Sequence, residues 1–434
     1  MINHHGPNNR ARRVALLAVA GLVLALGGAA CGNQTADESA RGGNASGATK
    51  PKQPTGVGVE PQQFTPVVAS TIGPETGPAR GTDGRYHVAY ELLLTNAKAV
   101  PATIQRIVVL DEADRGRVIT RFQGDRLVQN MTTLAPRPVE NTTIEPDGSR
   151  LLFVDLSFDS RDDVPETLIH RFRLLGAANP GSTEPTPLTY TITPFDIGAL
   201  RPVVVGPPLK GDGWVAFNAC CDLRFAHRGA VQSVNGGLFN SQRFAIDYMR
   251  LDDSGHFVTG DVTDPDNWTQ YGSEVIAAAN GTVVSTANDL PNQVPGSLPD
   301  PASFDTIESV DGNHVIMKLR NGVYAFYAHL QMGSVVVEPG DKVKRGDKLG
   351  LLGNTGNTSA PHLHFQIMSG PEAVGSDALP FVVDSFGYEG QVPLELALAS
   401  DDLTEDFGED RLREPEPREK ELPLNLAIVG FPDD

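Results

Sequence analysis

The sequence predicts an all-β protein of at least two domains, and three observations support this prediction. The chain has 434 residues, which is too long for one ordinary hydrophobic core. Short runs that alternate apolar and polar side chains recur along it, which is typical of strands. Its 45 Gly and 33 Pro residues often lie between these runs, where turns are expected, and Asn-Gly pairs provide hairpin turns.

Residues 1–31 are predicted to be a signal segment. Arginines at positions 10, 12 and 13 precede an apolar run at 14–26, which is too short to span a bilayer comfortably. Small residues then precede Cys31, and this pattern resembles the lipobox of a bacterial lipoprotein, in which the Cys is lipidated after cleavage. Gly28 departs from the Leu that is usual three positions before the Cys. The prediction is an extracytoplasmic lipoprotein at the cell membrane, and the alternative is an ordinary secretory signal.

Residues 32–58 are polar, rich in small residues and almost free of large apolar ones, so we expect a flexible linker. Residues 59–200 are predicted to form an immunoglobulin-like β-sandwich, because several short alternating runs are separated by Pro, Gly and Asp turns. The predicted strands cover 86–94, 102–110, 150–158, 168–174 and 188–192. No catalytic constellation is found in this domain, which we expect to position the next domain or to contact a protein partner.

Residues 201–400 are predicted to form a second β domain, which begins with linker-like sequence at 201–213. Near its end, His362 and His364 alternate with Leu363, Phe365 and Ile367. Because residues two apart in a strand share a face, both imidazoles point one way and the apolar side chains the other.

The same domain places three more polar residues at strands or strand edges, namely His227, Asp247 and His329. Asp247 lies in an otherwise apolar strand, where a carboxylate is costly unless it is paired or bound to a cation. Imidazole and carboxylate groups are ligands for Zn2+, and a catalytic zinc site uses three protein ligands and an open position. The residues alone leave open which three bind metal.

The pattern resembles the lysostaphin-type (LytM-type) zinc metallopeptidases, which cleave peptide bonds in bacterial peptidoglycan. The resemblance covers about 215 to 395 and is carried by four motifs: FAIDY at Asp247, YGSEVIAAANGTVV, YAHL at His329, and VEPGDKVKRGDKLGLLGNTGNTSAPHLHFQI. It implies an antiparallel β-sheet fold for this domain. It also implies that His227, Asp247 and His364 bind Zn2+ and that His329 and His362 are catalytic.

The first ligand departs from the family pattern. The family usually places this His four residues before the Asp, whereas His227 and Asp247 are 20 residues apart. A hairpin at Asn235-Gly236 is expected to bring them together, and His256 and His314 are the rival residues.

The resemblance implies a membrane-anchored zinc metalloendopeptidase that hydrolyses peptidoglycan peptides. The alternative is an inactive protein on the same fold that binds peptidoglycan or regulates another hydrolase. The net charge of −19 argues against nucleic acid as a partner.

Two features of the sequence stay open. Cys220 and Cys221 are either a disulfide between neighbours or two buried thiols. Residues 401–434 are predicted to be an acidic C-terminal tail, in which 422–431 form either a last strand or disordered chain.

Overall fold

The computed structural model describes residues 62–73, 76–198, 200–304, 306–399 and 403–433, and strands dominate these ranges. The predicted signal segment, Cys31 and the linker at 32–58 lie outside them. Three short helices are present: α1 (Asp125–Gln129), α2 (Ile307–Asp311) and α3 (Leu394–Ala399). Within the described ranges, no helix is both long enough and apolar enough to cross a membrane.

The strands up to residue 200 are β1 (Val67–Ile72), β2 (Ala79–Arg80), β3 (Tyr86–Asn96), β4 (Ala102–Asp111), β5 (Val118–Gln123), β6 (Met131–Thr132), β7 (Thr143–Ile144), β8 (Ser149–Phe158), β9 (Thr167–Gly176) and β10 (Thr186–Asp196). The later strands are β11 (Val203–Val205), β12 (Gly211–Phe217), β13 (Val231–Val234), β14 (Gly237–Asn240), β15 (Ile246–Arg250), β16 (Glu274–Ile276), β17 (Gly281–Ala287), β18 (Asn313–Leu319), β19 (Tyr324–Leu330), β20 (Lys342–Val343), β21 (Lys348–Leu351), β22 (Leu363–Met368), β23 (Phe381–Gln391), β24 (Arg411–Glu421) and β25 (Ala427–Phe431).

The chain divides into two compact units. Among the described residues, the first unit comprises 62–77 and 88–200, and the second comprises 78–87 and 201–433. The first unit contains two antiparallel sheets, with strand orders β1-β3-β8-β6 and β10-β9-β4-β5. The five predicted strands correspond to β3, β4, β8, β9 and β10. The immunoglobulin-like topology stays a prediction.

Side chains from both sheets of the first unit meet in its core. Tyr90 of β3 is fully buried, and its ring lies against His170 of β9 and Phe195 of β10. The Tyr90 hydroxyl and His170 Nε2 are 2.7 Å apart. The hydroxyl and the imidazole therefore hydrogen-bond to each other inside an apolar layer, as is usual for buried polar groups.

The second unit is built on one large sheet with strand order β11-β23-β25-β12-β15-β22-β19-β18-β17-β20, and β24 lies beside β23. Its pairs are antiparallel except β11 with β23, which is parallel. The all-β, antiparallel prediction is thus confirmed. One face of the central strands is apolar: Tyr327 packs on Phe365, Phe365 on Phe381, and Tyr248 on Phe431.

The sheet also includes segments at both ends of the predicted second domain. Residues 201–213, which were predicted to be a linker, contain β11 and the start of β12. Residues 401–434 contribute β24, whose side chains are mostly exposed, and the fully buried β25. The last strand is therefore present, and it lies between β23 and β12.

Candidate metal centre

Asp247 is the centre of a buried cluster of imidazoles. It lies on β15, where strand pairing places it opposite Phe217 of β12 and His364 of β22. Its Oδ2 is 3.2 Å from His227 Nε2, and its Oδ1 is 3.3 Å from His362 Nε2 and 2.9 Å from His364 Nδ1. Asp247 is only 3% exposed, so the cluster replaces the water that a carboxylate would otherwise require.

Strand β22 brings the two histidines of the alternating run to this carboxylate. It is paired with β15 on one side and β19 on the other, so that His364 lies opposite both Asp247 and Ala328. His362 immediately precedes the strand and points to the same side. The apolar partners Leu363 and Phe365 are fully buried on the opposite face. The predicted division of the two faces is confirmed.

His227 reaches the cluster from a single 3-10 turn, His227–Gly229. The following strands β13 and β14 form a hairpin with Asn235-Gly236 at its turn, and the chain then returns to β15. The hairpin accounts for the 20-residue spacing, as expected from the sequence. His227 Nδ1 lies 3.2 Å from the carbonyl oxygen of Ala245 and donates to it, which leaves Nε2 directed at Asp247.

His329 is the penultimate residue of β19 and lies beside the cluster. Its ring centroid lies 4.6 Å from that of His362, and its Nδ1 donates to the Thr355 carbonyl over 2.7 Å. Its φ of 62° is in the left-handed region, which is uncommon for a residue with a side chain and is held here by the surrounding contacts. Its Nε2 therefore faces the cluster.

The Gly/Asn/Thr loop that precedes β22 positions His329. The Thr355 hydroxyl accepts a hydrogen bond from the backbone N–H of Asn313 and donates one to the Leu330 carbonyl. These two bonds anchor the Thr355 peptide that His329 contacts. Gly356 has φ of 81°, and a Cβ there would lie 2.5 Å from the Gly312 nitrogen. Only glycine permits this close approach of the loop to the end of α2.

The pKa of His362 is shifted in the opposite direction to those of His329 and His364. Burial lowers the pKa of His329 well below its usual range, and the neighbouring His362 and His364 lower it further. Burial also lowers the pKa of His364. Burial acts in the same direction on His362, but the charge and hydrogen bond of Asp247 outweigh it and raise the pKa of that imidazole.

Asp247 is ionised in spite of its burial. Burial opposes the charge, but the attraction and hydrogen bonds of His227 and His362 hold the pKa of Asp247 well below its usual value. Asp247 Oδ1 lies 2.9 Å from Nδ1 of His364. When a neutral His364 carries its ring proton on Nε2, both of these atoms are hydrogen-bond acceptors. Such a pair needs a shared proton or a cation between its atoms.

Within the described ranges, two overlapping groups of ligand atoms meet the distance requirement for a metal. One is His227, Asp247 and His364, the other is His329, His362 and His364, and within each group the ligand atoms lie within 4.8 Å of one another. The first group contains two nitrogens and a carboxylate oxygen, which is a donor set of catalytic zinc. The residues fit this ion.

The rival histidines lie elsewhere. His256 is in the loop after β15, with its Nδ1 3.7 Å from Asp252. His314, on β18, bonds to the Gly312 carbonyl through Nδ1 over 2.9 Å. Neither belongs to either ligand group, in contrast to His227.

Sequence reasoning missed two amides that contact the cluster. Gln366 Oε1 lies 3.1 Å from His364 Nε2, and Asn218 Nδ2 donates to Asp247 Oδ2 over 2.7 Å. Gln366 shares a strand face with His362 and His364, so the same period of two that singled out the histidines includes it. Asn218 gives no comparable signal, because its position depends on a left-handed turn with φ of 54°.

The antiparallel sheet thus carries four imidazoles around one buried carboxylate, a set of groups that can hold a metal ion. Residues 266–376 match the family model described as Peptidase family M23, and the chain therefore contains an M23 peptidase domain. The match includes His329, His362 and His364, and it begins after His227 and Asp247.

Relatives of this chain include two named endopeptidases. The chain is 32% identical over 108 residues to the peptidoglycan DD-endopeptidase ShyA of Vibrio cholerae, a match that covers 24% of this chain and 20% of ShyA. It is 40% identical over 80 residues to the glycyl-glycine endopeptidase ALE-1 of Staphylococcus capitis, covering 18% of this chain and 21% of ALE-1. These matches thus span about a fifth of the length of each relative.

Among solved structures, the catalytic domain of lysostaphin from Staphylococcus simulans is similar to 34% of this chain. The similarity covers 80% of that domain, with 22% sequence identity and a TM-score of 0.21.

Proposed function

We propose that this chain is a zinc-dependent endopeptidase that hydrolyses peptide bonds in peptidoglycan. The observation that carries the proposal is Asp247, a buried, ionised carboxylate within 3.3 Å of three imidazole nitrogens. The M23 family match and the names of the relatives support the reaction class and the substrate. An extracytoplasmic location follows from that substrate.

His227, Asp247 and His364 would hold the ion. Bound zinc lowers the pKa of a coordinated water and polarises a carbonyl oxygen. The protein contributes a rigid, buried frame for this chemistry: Ala245 orients His227, and Asn218 holds one oxygen of Asp247.

His329 and His362 are the proposed catalytic residues. Each donates its Nδ1 proton to a backbone carbonyl, of Thr355 and Ala360 respectively, so the Nε2 atoms are directed toward the cluster, where that of His362 lies 3.3 Å from Asp247 Oδ1. In the neutral ring, Nε2 accepts a proton from an attacking water. In the protonated ring, it donates to the developing oxyanion or to the leaving amine. The two rings are adjacent, and these roles are divided between them.

We also propose that Cys31 carries the lipid anchor and that the first unit positions the peptidase or binds a protein partner. The basic residues, the apolar run and the small residues before Cys31 support the anchor. Release of a Cys31→Ala variant from the membrane fraction is the expected result, and unchanged fractionation contradicts it.

The function is tested by digestion of purified peptidoglycan with the full chain and mass analysis of the soluble fragments. Fragments with newly exposed peptide termini are expected from the wild type and not from His364→Ala. A chain that binds zinc and peptidoglycan but releases no fragment would support the alternative, an inactive binding or regulatory protein.

A further inference from the structure

Gln366 is a buried residue of β22 whose side chain contacts the imidazole of His364. It is 1% exposed and lies two residues further along the same face of β22. Its Oε1 is 3.1 Å from His364 Nε2, and its Nε2 donates to the carbonyl oxygen of Ala373 over 3.0 Å. One amide therefore bridges a proposed zinc ligand to a fixed point of the backbone.

The bond to Ala373 determines which way the amide points. A backbone carbonyl only accepts, so it must face the NH2 group of Gln366, and the amide oxygen must then face His364. That oxygen also only accepts, so His364 Nε2 must carry the ring proton. A neutral imidazole has one such proton, and its lone pair is therefore on Nδ1, 2.9 Å from Asp247 Oδ1.

We propose that Gln366 is a positioning residue that fixes the Nε2–H tautomer of His364 and thereby presents Nδ1 as the metal-binding atom. The inference rests on the proposed zinc centre. Hydrogen bonds to the second nitrogen of a metal-binding histidine orient the ring and raise its basicity, and their loss typically weakens metal binding about 10–100-fold.

The test is the zinc dissociation constant of the full chain, measured by competition with a chelator. Gln366→Met keeps the length of the side chain and removes the acceptor, and it should weaken zinc binding by about 10–100-fold. Gln366→Glu retains an oxygen toward His364 but loses the donor to Ala373, so it should lose less zinc affinity than Gln366→Met. Gln270→Met is the matched control, because Gln270 is also buried but bonds only to the backbone of Arg250 and Pro361.

A second measurement reads the tautomer directly. Nitrogen-15 NMR of the histidine rings in the zinc-bound wild type should show His364 protonated at Nε2 and metal-bound at Nδ1. The opposite assignment overturns the proposal whether or not any variant folds, and so does equal zinc affinity in the wild type and Gln366→Met. An equal loss in Gln270→Met would show a general packing effect and also refute it.

Failure of the underlying function has a different signature. A wild-type chain that binds no zinc would overturn the proposed metal centre, and the role of Gln366 with it. A wild type that binds zinc while Gln366→Met binds it equally well overturns the positioning role alone.

Discussion

His170 in the first unit and His362 in the second are both buried, but their surroundings give them opposite acid–base behaviour. His170 is 1% exposed and bonds to the neutral hydroxyl of Tyr90, and burial lowers its pKa to about 4. His362 is 6% exposed, and the ionised Asp247 raises its pKa against the same effect of burial. Burial alone keeps an imidazole neutral, whereas a buried carboxylate makes the surrounding site favourable for positive charge.

This contrast separates a structural histidine from a candidate metal centre. In the first unit, the imidazole of His170 is hydrogen-bonded to the phenol of Tyr90. The second contains a carboxylate whose two oxygens face three imidazole nitrogens, together with a fourth ring from His329. A divalent cation would neutralise the carboxylate and use the nitrogen lone pairs at once.

Removal of a ligand from the carboxylate cluster should have the largest effect. Replacing His364 or His227 by Ala leaves two protein ligands, so zinc affinity should fall by more than the roughly 100-fold that loss of a supporting contact costs, and hydrolysis should disappear. Zinc stoichiometry after dialysis measures this. His314→Ala is the matched control, because His314 is buried but outside the ligand groups. Zinc retained by His227→Ala would overturn the assignment of His227 as a ligand.

Removal of His329 or His362 should separate metal binding from turnover. Either Ala variant is expected to keep its zinc and to lose about 10²–10⁴-fold in hydrolysis of a soluble peptide, which is typical for a general acid or base. Zinc content and rate are measured on the same preparation. Loss of zinc from His362→Ala would mean that both strand histidines bind metal.

The stability of the first unit should depend on pH through His170. Its pKa is about 4 in the folded chain and about 6.5 when unfolded, so between these values only the unfolded state binds the proton. Stability should therefore fall as the pH drops from 6.5 to 4, by about 3 kcal/mol in total. Denaturant unfolding at several pH values measures the slope. His170→Gln should flatten it, and an unchanged slope would assign the effect to other groups.

Loss of the Tyr90 hydroxyl should have the smallest effect. Tyr90→Phe keeps the ring packing on Phe195 and leaves His170 without its hydrogen-bond partner, at an expected cost of about 1–3 kcal/mol. Denaturant unfolding at pH 7 measures this cost, with zinc affinity as the internal control, which should not change. A stability equal to that of the wild type would show that another group satisfies His170.

The sequence predicted those parts of the structure that depend on local periodicity. Alternation along His362–Ile367 defined both faces of β22, and the Asn235-Gly236 pair correctly placed the turn of the hairpin β13–β14. The predicted strands of the first unit were found from short runs of the same kind.

What the sequence did not predict depends on contacts between distant segments. Residues 201–213 have the composition of a linker, but β11 pairs with β23 about 180 residues later. A pairing with so distant a strand cannot be predicted from the local sequence. The left-handed φ of His329 and the contacts of Gln366 and Asn218 likewise exist only once the strands have assembled. The geometry of the ligand group is therefore a tertiary property.

The position of β25 has a consequence for the order of folding. Gly211 of β12 pairs with Phe431 of β25, so the sheet contains a contact between segments about 200 residues apart, a separation that slows folding. A chain that emerges in sequence presents β12 and β15, with Asp247, long before β25 exists. During that interval β12 is an unprotected sheet edge, which is prone to unwanted pairing. The peptidase sheet thus closes late in synthesis, and we expect backbone amides of β12 to gain protection from hydrogen exchange only when residues 427–431 have docked.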